Sequence, residues 1–226
     1  MTNISKRYHH FWEKKFKLID GKYLFPAEWL GRIILGKYTG VNIKNRGSVL
    51  DYSCGYGRNF QLLKQNFKIV YGSEISKSIV RNLYKLKHVK KLKIKLFVTY
   101  DGIKKFIKKF DCIVCCNSIY YSSSLKNHSN SLISFKKNLN KDGIMIFNIP
   151  TKNHYLIKSG LVKSKNTVLI KKDPLKVRDN TQKMVFFGSS GEAKKFYQKF
   201  FSEVKVSKSL LVLNNIREEF FVLVCK

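Results

Sequence analysis

The feature that most constrains this chain is the segment GSVLDYSCGYGRN at residues 47–59. A short apolar run, Val49 and Leu50, ends in Asp51, and a loop of small residues follows. Apolar residues at positions 60, 62, 63 and 67 then have the spacing of a helix. The pattern predicts a strand, a glycine-containing turn and a helix, which is the first unit of a nucleotide-binding α/β sheet.

The same segment resembles motif I of the class I S-adenosylmethionine-dependent methyltransferases, whose pattern is acid-x-Gly-x-Gly-x-Gly. Gly55 and Gly57 match that pattern, and Ser53 stands where the family has its first glycine. The resemblance implies that Asp51, Ser53, Gly55, Gly57 and Asn59 bind S-adenosyl-L-methionine, with Asp51 and the turn holding its methionine end. A nicotinamide fingerprint fits less well, because no G-x-G-x-x-G can be written through the segment.

A second acid ends the next predicted strand, residues 67–74. Glu74 lies 23 positions after Asp51, close to the spacing of about 20 at which an acid meets a ribose in βαβ folds. This resembles motif II of the family, which implies that Glu74 accepts hydrogen bonds from both ribose hydroxyls and that Ile75 belongs to the cofactor site. Ser76 is predicted to cap the helix that follows.

The third predicted strand, residues 92–98, alternates between Lys and apolar residues, as is typical of a sheet edge. Asp101 and Gly102 follow it, where the family usually places an acid near the adenine amino group. The fourth predicted strand, residues 111–116, runs into Asn117, and the resemblance implies that the backbone carbonyl of Asn117 binds the methionine amine.

The segment after the fourth strand, Asn-Ser-Ile-Tyr-Tyr at 117–121, bears on the reaction class. It lacks the Asn/Asp-Pro-Pro-aromatic motif of amino-methylating DNA enzymes and of some RNA and protein enzymes, and no cysteine is placed as in the cytosine C5 enzymes. It resembles enzymes that methylate small molecules and glycans. Tyr120 and Tyr121 are therefore predicted to line the acceptor pocket, although packing is nearly as good an interpretation.

The remaining segments complete one domain, residues 1–226, with a Rossmann-like α/β fold. We expect a seven-stranded, mostly parallel sheet with helices on both faces and an antiparallel last strand. An N-terminal helical cap (1–46) resembles the lid that many small-molecule methyltransferases fold over cofactor and acceptor, which implies that Trp12 binds substrate. A cofactor-binding core (47–149) ends in a helix through Leu132, Phe135 and Leu139, a tight turn at 140–143 and a strand at 144–149. A substrate-side insertion (150–189), which breaks the alternation of strands and helices where the family keeps substrate-recognition elements, supplies His154 as a candidate general base. A helix from Ser190 or Gly191 and strands at 204–213 and 220–225 form the last part (190–226).

The charge is strongly basic, with 45 Lys and Arg against 14 Asp and Glu, a net charge of +31. Such a charge favours a polyanionic partner such as RNA, an anionic glycan or a membrane surface. However, 38 of the basic residues are Lys and seven are Arg, and Arg is the residue suited to bidentate base contacts. A composition effect of an A/T-rich coding sequence explains the lysines equally well.

Five cysteines raise the possibility of a metal or redox site. Cys112 and Cys115 have C-x-x-C spacing, but they lie in a predicted strand, where they would face opposite ways. No second pair is present to complete four ligands. We therefore expect buried thiols and no metal.

The sequence predicts a methyltransferase that acts on a small molecule or a glycan precursor, on oxygen. Two alternatives stay open, namely an RNA methyltransferase that uses the basic surface and a non-catalytic cofactor-binding protein of the same fold. No apolar run approaches the roughly 18 residues of a membrane span, and residues 1–17 lack the apolar core of a signal peptide. We therefore expect a cytoplasmic protein.

Overall fold

The computed structural model describes residues 25–36, 43, 46–98, 109–171, 173 and 182–226. Its helices are α1 (Glu28–Ile34), α2 (Phe60–Asn66), α3 (Lys77–Lys85), α4 (Lys87–Lys91), α5 (Leu125–Lys137), α6 (Tyr155–Lys158) and α7 (Ser190–Tyr197). Its strands are β1 (Ser48–Tyr52), β2 (Ile69–Glu74), β3 (Lys95–Val98), β4 (Phe110–Cys115), β5 (Leu139–Pro150), β6 (Leu161–Ser164), β7 (Thr167–Leu169), β8 (Lys183–Val185), β9 (Val204–Leu213) and β10 (Ile216–Cys225).

Seven strands form one sheet in the order β3-β2-β1-β4-β5-β10-β9. β1 pairs in parallel with β2 and β4, and β2 pairs in parallel with β3. β10 is antiparallel to both β5 and β9. The predicted Rossmann-like, mostly parallel seven-stranded sheet with an antiparallel last strand is thereby confirmed.

The contacts divide the chain into two compact units, residues 1–116 with 137–144, and residues 117–136 with 145–226. In the first unit, β1 is the central strand, and its side chains Val49 and Leu50 are fully buried. Parallel strands that are covered on both faces read as continuous apolar runs, which is why this short run was a sufficient signal. In the second unit, β5 and β10 pair from Met145 to Pro150, and their residues are almost all buried.

Two element boundaries in the first unit differ from the sequence predictions. β3 begins at Lys95 and not at residue 92, because α4 extends to Lys91 and Lys93 has a left-handed φ of 54°. β5 begins at Leu139, inside the predicted helix and turn. Its start is held against β4, since the Phe110 N–H donates to the Asn138 carbonyl at 2.8 Å and Asn140 Nδ2 donates to Asp111 Oδ1 at 2.6 Å.

The insertion predicted at residues 150–189 contains short strands and a helix that the sequence pattern did not indicate. β6, β7 and β8 form a separate antiparallel three-stranded sheet. Val168 and Met184, which are register partners in β7 and β8, are both fully buried. Strands of three and four residues are too short to show the two-residue alternation of a sheet, so the sequence pattern does not indicate them.

The end of the chain follows the prediction closely. α7 begins at Ser190, and Ser189 caps it by accepting a hydrogen bond from the Glu192 N–H. β9 has the predicted bounds, whereas β10 begins at Ile216, four residues before its predicted start. None of the helices in the described part of the chain is long and apolar enough to cross a membrane.

Candidate functional site

The turn after β1 is built from residues in left-handed backbone conformations. Ser53, Gly55 and Gly57 have φ values of 54°, 55° and 73°. Glycine adopts this conformation without steric cost, whereas a side chain at Cβ opposes it. The family pattern thus has glycine at the same three positions where this backbone is left-handed. At the first of them Ser53 adopts the left-handed conformation at a cost in conformational energy.

We expect Ser53→Gly to stabilise the protein by about 0.5–1 kcal/mol, because it relieves the left-handed serine more than it raises the entropy of the unfolded chain. Urea unfolding of the two proteins measures the difference. Ser131→Gly in helix α5 is the matched control and should destabilise by about 0.5 kcal/mol, since glycine is a poor helix residue. A loss of stability in Ser53→Gly would contradict the conformational argument.

The carboxylate of Glu74 contacts this turn from the end of β2. Its Oε2 accepts a hydrogen bond from the Gly55 N–H at 3.0 Å, and its Oε1 accepts one from the Ile75 N–H at 2.7 Å. A carboxylate offers about four lone-pair sites, so each oxygen retains one for a ligand. Burial raises the pKa of Glu74, while the two backbone hydrogen bonds oppose that rise. The structure thus brings together the two motifs that the sequence placed at consecutive strand ends.

Asp51 lies at the carboxyl end of β1 and is 1% exposed. Asn59 Nδ2 lies 3.5 and 3.4 Å from its two carboxylate oxygens. Burial raises the pKa of Asp51 to about 7, against the opposing effects of the Asn59 hydrogen bond and the Arg58 charge. Asn59 Oδ1 is buried and has no hydrogen-bond partner among the described residues. The pair therefore places a titratable acid and an unused acceptor beside the glycine turn.

Asn117 follows β4 in a left-handed conformation with φ 55°. Its N–H donates to Asn148 Oδ1 at 2.8 Å, and Asn148 Nδ2 donates in return to Asn117 Oδ1 at 2.5 Å. Asn148 is fully buried in β5. The side-chain amide of Asn117 is consequently engaged by the protein, while the predicted role of its backbone carbonyl stays a prediction.

The two tyrosines after Asn117 have different environments. Tyr120 is fully buried, its ring lies 4.6 Å from that of Tyr121, and its carbonyl accepts from the Val185 N–H at 2.8 Å. Tyr121 is only partly buried. Tyr120 thus serves at least to pack the segment, and a role of either ring in the acceptor pocket stays a prediction.

His154, the candidate base, is fully buried at the start of α6. Its Nδ1 accepts a hydrogen bond from the Leu156 N–H at 3.2 Å, which caps the helix. Its ring stacks on Tyr155 and meets Phe220 edge-on, with centroid distances of 4.8 and 4.7 Å. His154 therefore has a structural role, and because its Nδ1 accepts, the neutral ring carries its proton on Nε2. The predicted general-base role, which requires the other tautomer, stays a prediction.

His128 is a fully buried residue of α5 that its sequence motif does not single out. Its Nδ1 lies 3.2 Å from the Ile119 carbonyl and its Nε2 lies 2.8 Å from the Tyr197 hydroxyl. Burial lowers the pKa of His128 to about 4, so the neutral ring donates to the carbonyl and accepts from Tyr197. His128, Leu132 and Phe135 share one helix face, and that spacing was the available signal.

Three predicted site residues, Trp12, Asp101 and Gly102, lie outside the described residues. The five cysteines are free thiols, and Cys112 and Cys115 are fully buried, as expected of core thiols. Across the part of the chain that the structure describes, no group of three or more His, Cys, Asp or Glu side chains could hold a metal ion.

The geometry of the first unit suits a cofactor with adjacent hydroxyls. Glu74 offers one lone-pair site on each oxygen, which matches a vicinal diol. Gly55 and Gly57 leave the backbone of the turn without side chains. Asp51 and the Oδ1 of Asn59 add acceptors for a cationic group. These properties fit an adenosyl amino acid better than a dinucleotide, whose diphosphate needs a cluster of donors.

Comparisons with known proteins identify the family and the fold of this chain. The family model described as a methyltransferase domain matches residues 27–186, which is more than half of the chain. A search of curated proteins finds no significant match.

Three solved structures illustrate the similarity of fold. An S-adenosylmethionine-dependent methyltransferase from Clostridium acetobutylicum is 15% identical with a TM-score of 0.60, and the match covers 99% of both chains. Magnesium protoporphyrin IX methyltransferase from Synechocystis, with bound SAH (S-adenosylhomocysteine), is 12% identical with a TM-score of 0.63, covering 100% of this chain and 99% of that one. A methyltransferase from Anabaena variabilis is 15% identical with a TM-score of 0.64, covering 100% and 96%. The family match and the fold together show that this chain belongs to the methyltransferase-domain family and is a class I S-adenosylmethionine-dependent methyltransferase.

Proposed function

We propose that this enzyme methylates a hydroxyl oxygen of a small molecule or a glycan precursor. The observation that carries the proposal is the paired amides of Asn117 and Asn148. Amino-methylating DNA enzymes of this fold, and some RNA and protein enzymes, carry an Asn/Asp-Pro-Pro-aromatic motif after the fourth strand. Here that motif is absent, and the Asn117 side chain already accepts a hydrogen bond from Asn148. The similar fold of a porphyrin methyltransferase is compatible with a small acceptor.

The residues of the first unit would hold the cofactor in three parts. Glu74 would accept the ribose hydroxyls, since each of its oxygens keeps a lone-pair site. Asp51 would attract the positively charged methionine end, and the turn at Gly55 and Gly57 would let the backbone lie close to it. The cofactor, when bound, supplies an electrophilic methyl group on a sulfonium.

The protein contributes mainly positioning to such a transfer. An acceptor oxygen must lie in line with the methyl carbon and the sulfur, and holding that geometry accounts for much of the rate. A hydroxyl acceptor must also lose its proton, so a base within hydrogen-bond reach is required. His154 is our candidate for that base, and Tyr120, Tyr121 and Trp12 are the proposed acceptor contacts.

We expect Glu74→Ala to weaken SAH binding by more than tenfold, because the substitution removes the acceptor of two hydrogen bonds from the ribose. Isothermal titration calorimetry with SAH measures the affinity, with NADH and ATP as ligands that should not bind. Glu203→Ala is the matched control, since Glu203 is exposed and pairs only with Lys205 among the described residues. Unchanged affinity in Glu74→Ala would refute the ribose assignment.

An RNA acceptor is the second candidate, and the net charge of +31 favours it. A screen of sugars against RNA oligomers at two salt concentrations separates the two. Methylation of RNA should fall steeply with salt because phosphate contacts release counterions, whereas methylation of a small neutral acceptor should change little. Binding of SAH without turnover of any acceptor would favour a non-catalytic protein of the same fold.

A further inference from the structure

A polar cleft of about 330 Å³ lies in the second unit, between β9, β10, the residues after β5 and the start of α7. The lining side chains that can form hydrogen bonds are those of Asn153, Ser189, Ser190, Ser207, Lys208 and Glu219. Val206 and Phe221 add apolar surface. The proposed cofactor site uses none of these residues, so the cleft needs its own explanation.

The carboxylate of Glu219 organises the cleft and is itself fully engaged. Its Oε1 accepts from Thr151 Oγ1 at 2.9 Å, from Asn153 Nδ2 at 3.2 Å and from Lys208 Nζ at 2.9 Å. Its Oε2 accepts from two nitrogens of Arg217. Burial alone would raise the pKa of Glu219, but the hydrogen bonds from these side chains lower it to about 2. Glu219 is therefore ionised and positions the surrounding donors.

The groups that remain for a ligand are mostly donors. The Lys208 ammonium carries three N–H groups, one of them directed to Glu219, and its side chain is 52% exposed. Among the described residues, no acceptor is bonded to the hydroxyls of Ser190 and Ser207. Ser189 Oγ already accepts from the Glu192 N–H at 3.1 Å, so its own hydrogen is available to donate. A ligand that fits the cleft must supply acceptors.

The charges of the cleft also favour an anion. Lys208 balances the charge of Glu219 in the lining of the cleft, and Arg217, which contacts Glu219 without lining the cleft, adds one further positive charge beside it. Glu192, which accepts from the Gly188 N–H at 2.8 Å, is paired with Lys165 at 3.8 Å and does not change this balance. An acceptor-rich group of one or two negative charges would therefore be stabilised there.

We propose that this cleft binds a phosphate or carboxylate group of a small-molecule ligand. The inference goes beyond the proposed function, because none of the residues assigned to the cofactor lines this cleft. Lys208 and the serine hydroxyls contact the anionic oxygens, and Phe221 and Val206 contact the adjoining carbon skeleton.

The test is titration calorimetry of the full chain with inorganic phosphate and, separately, with acetate, at about 0.15 M salt to screen the general surface charge. We expect saturable binding of at least one anion. The anion that binds more tightly indicates whether the cleft prefers a phosphate or a carboxylate group. Lys208→Met should weaken that binding at least tenfold. Lys205→Met, on the same strand but paired with Glu203 at 3.4 Å, should change it less than twofold.

Ser190→Ala and Ser207→Ala provide variants that leave the ion pairs of Glu219 intact, in case Lys208→Met impairs folding. We expect each to weaken phosphate or acetate binding by about threefold, the loss of one hydrogen bond. The inference is overturned if the unmodified protein binds neither anion, if Lys205→Met and Lys208→Met have equal effects, or if the two serine variants bind as the unmodified protein does.

Calorimetry with SAH on the same samples separates this inference from the proposed function. SAH binding with no anion binding refutes the cleft assignment alone. Anion binding that depends on Lys208, in a protein that does not bind SAH, supports the anion site and refutes the proposed function. An RNA oligomer that binds through Lys208 while inorganic phosphate and acetate do not would also overturn the small-molecule assignment.

Discussion

Gly57→Ala should destabilise the protein by about 3–5 kcal/mol, because a left-handed backbone and a steric overlap act at one position. The φ of Gly57 is 73°. A Cβ at residue 57 would lie 2.3 Å from the ring of Phe60, which is fully buried. The ring has no room to retreat, since its far edge lies 2.6 Å from where a Cβ of Gly72 would be. Two glycines on two elements thus enclose one aromatic ring.

Urea unfolding followed by circular dichroism measures this loss of stability, and SAH calorimetry measures its effect on the turn. Gly191→Ala is the matched control, because nothing lies within 4 Å of a Cβ there and the residue is helical. We expect that control to be neutral or to stabilise by up to about 1 kcal/mol.

A double-mutant cycle with Phe60→Leu tests the cause of the effect. If the ring is the obstacle, the two substitutions together should cost clearly less than the sum of their separate costs. A loss below about 1 kcal/mol in Gly57→Ala would show that the turn relaxes and that the ring does not fix it.

The features that could be predicted from sequence are those with a local cause. The apolar run before Asp51 and the spacing to Glu74 specified two parallel strands and their adjacent acids, because both follow from chain geometry alone. Ser76 was recognised as a helix cap for the same reason, and its hydroxyl accepts from the Ile79 N–H. Left-handed turn positions could be read from Gly55 and Gly57, since few other residues adopt them.

The features that could not be predicted depend on contacts between distant residues. The start of β5 is set by hydrogen bonds of Asn138 and Asn140 to the start of β4, and nothing in residues 138–143 encodes that partner. His128 was missed because its two partners lie nine and 69 positions away. The donors of the cleft around Glu219 come from four segments of the chain. Hydrogen-bond partners from distant segments determine which polar side chains can be buried, but they leave no periodic pattern in the sequence.

The chemical role of His154 was also beyond what its sequence position could predict. Its position after a strand end suggested a base, and sequence position alone does not reveal that its Nδ1 caps α6. Asp51 is the opposite case. The motif identified it as a ligand contact, and burial adds a property that the motif does not state, namely a pKa raised from the ordinary value of 3.8 to about 7.

Asp51→Asn should therefore abolish a pH dependence of stability that the unmodified protein has. Between about pH 4 and pH 7 the folded chain retains the Asp51 proton and the unfolded chain has lost it. The contribution of Asp51 to the free energy of unfolding then falls as the pH rises through this window, and it is constant above the window. The Asp51→Asn protein has no titrating group at this position. The difference between its free energy of unfolding and that of the unmodified protein should therefore grow in its favour by roughly 2–4 kcal/mol from low pH to pH 8.

The same proton should control cofactor binding. If the ionised carboxylate attracts the positively charged methionine end, SAH affinity should rise about tenfold from pH 6 to pH 8, as the ionised fraction rises through a pKa near 7. In Asp51→Asn, affinity should be lower at pH 8 and should lose most of this pH dependence. Glu74 also has a raised pKa, and its contribution persists in Asp51→Asn, so the difference between the two proteins isolates Asp51.

Urea unfolding and SAH calorimetry at pH 5, 6, 7 and 8, steps of about one unit across the window, measure both effects. Asn59→Asp is an informative companion, because a second carboxyl beside Asp51 should raise its pKa further and move the rise in affinity to higher pH. Parallel stability profiles for the unmodified protein and Asp51→Asn would show that Asp51 is already ionised in the folded chain. If the two proteins differ in the pH dependence of stability but not in that of SAH affinity, the charge of Asp51 affects folding and not cofactor binding.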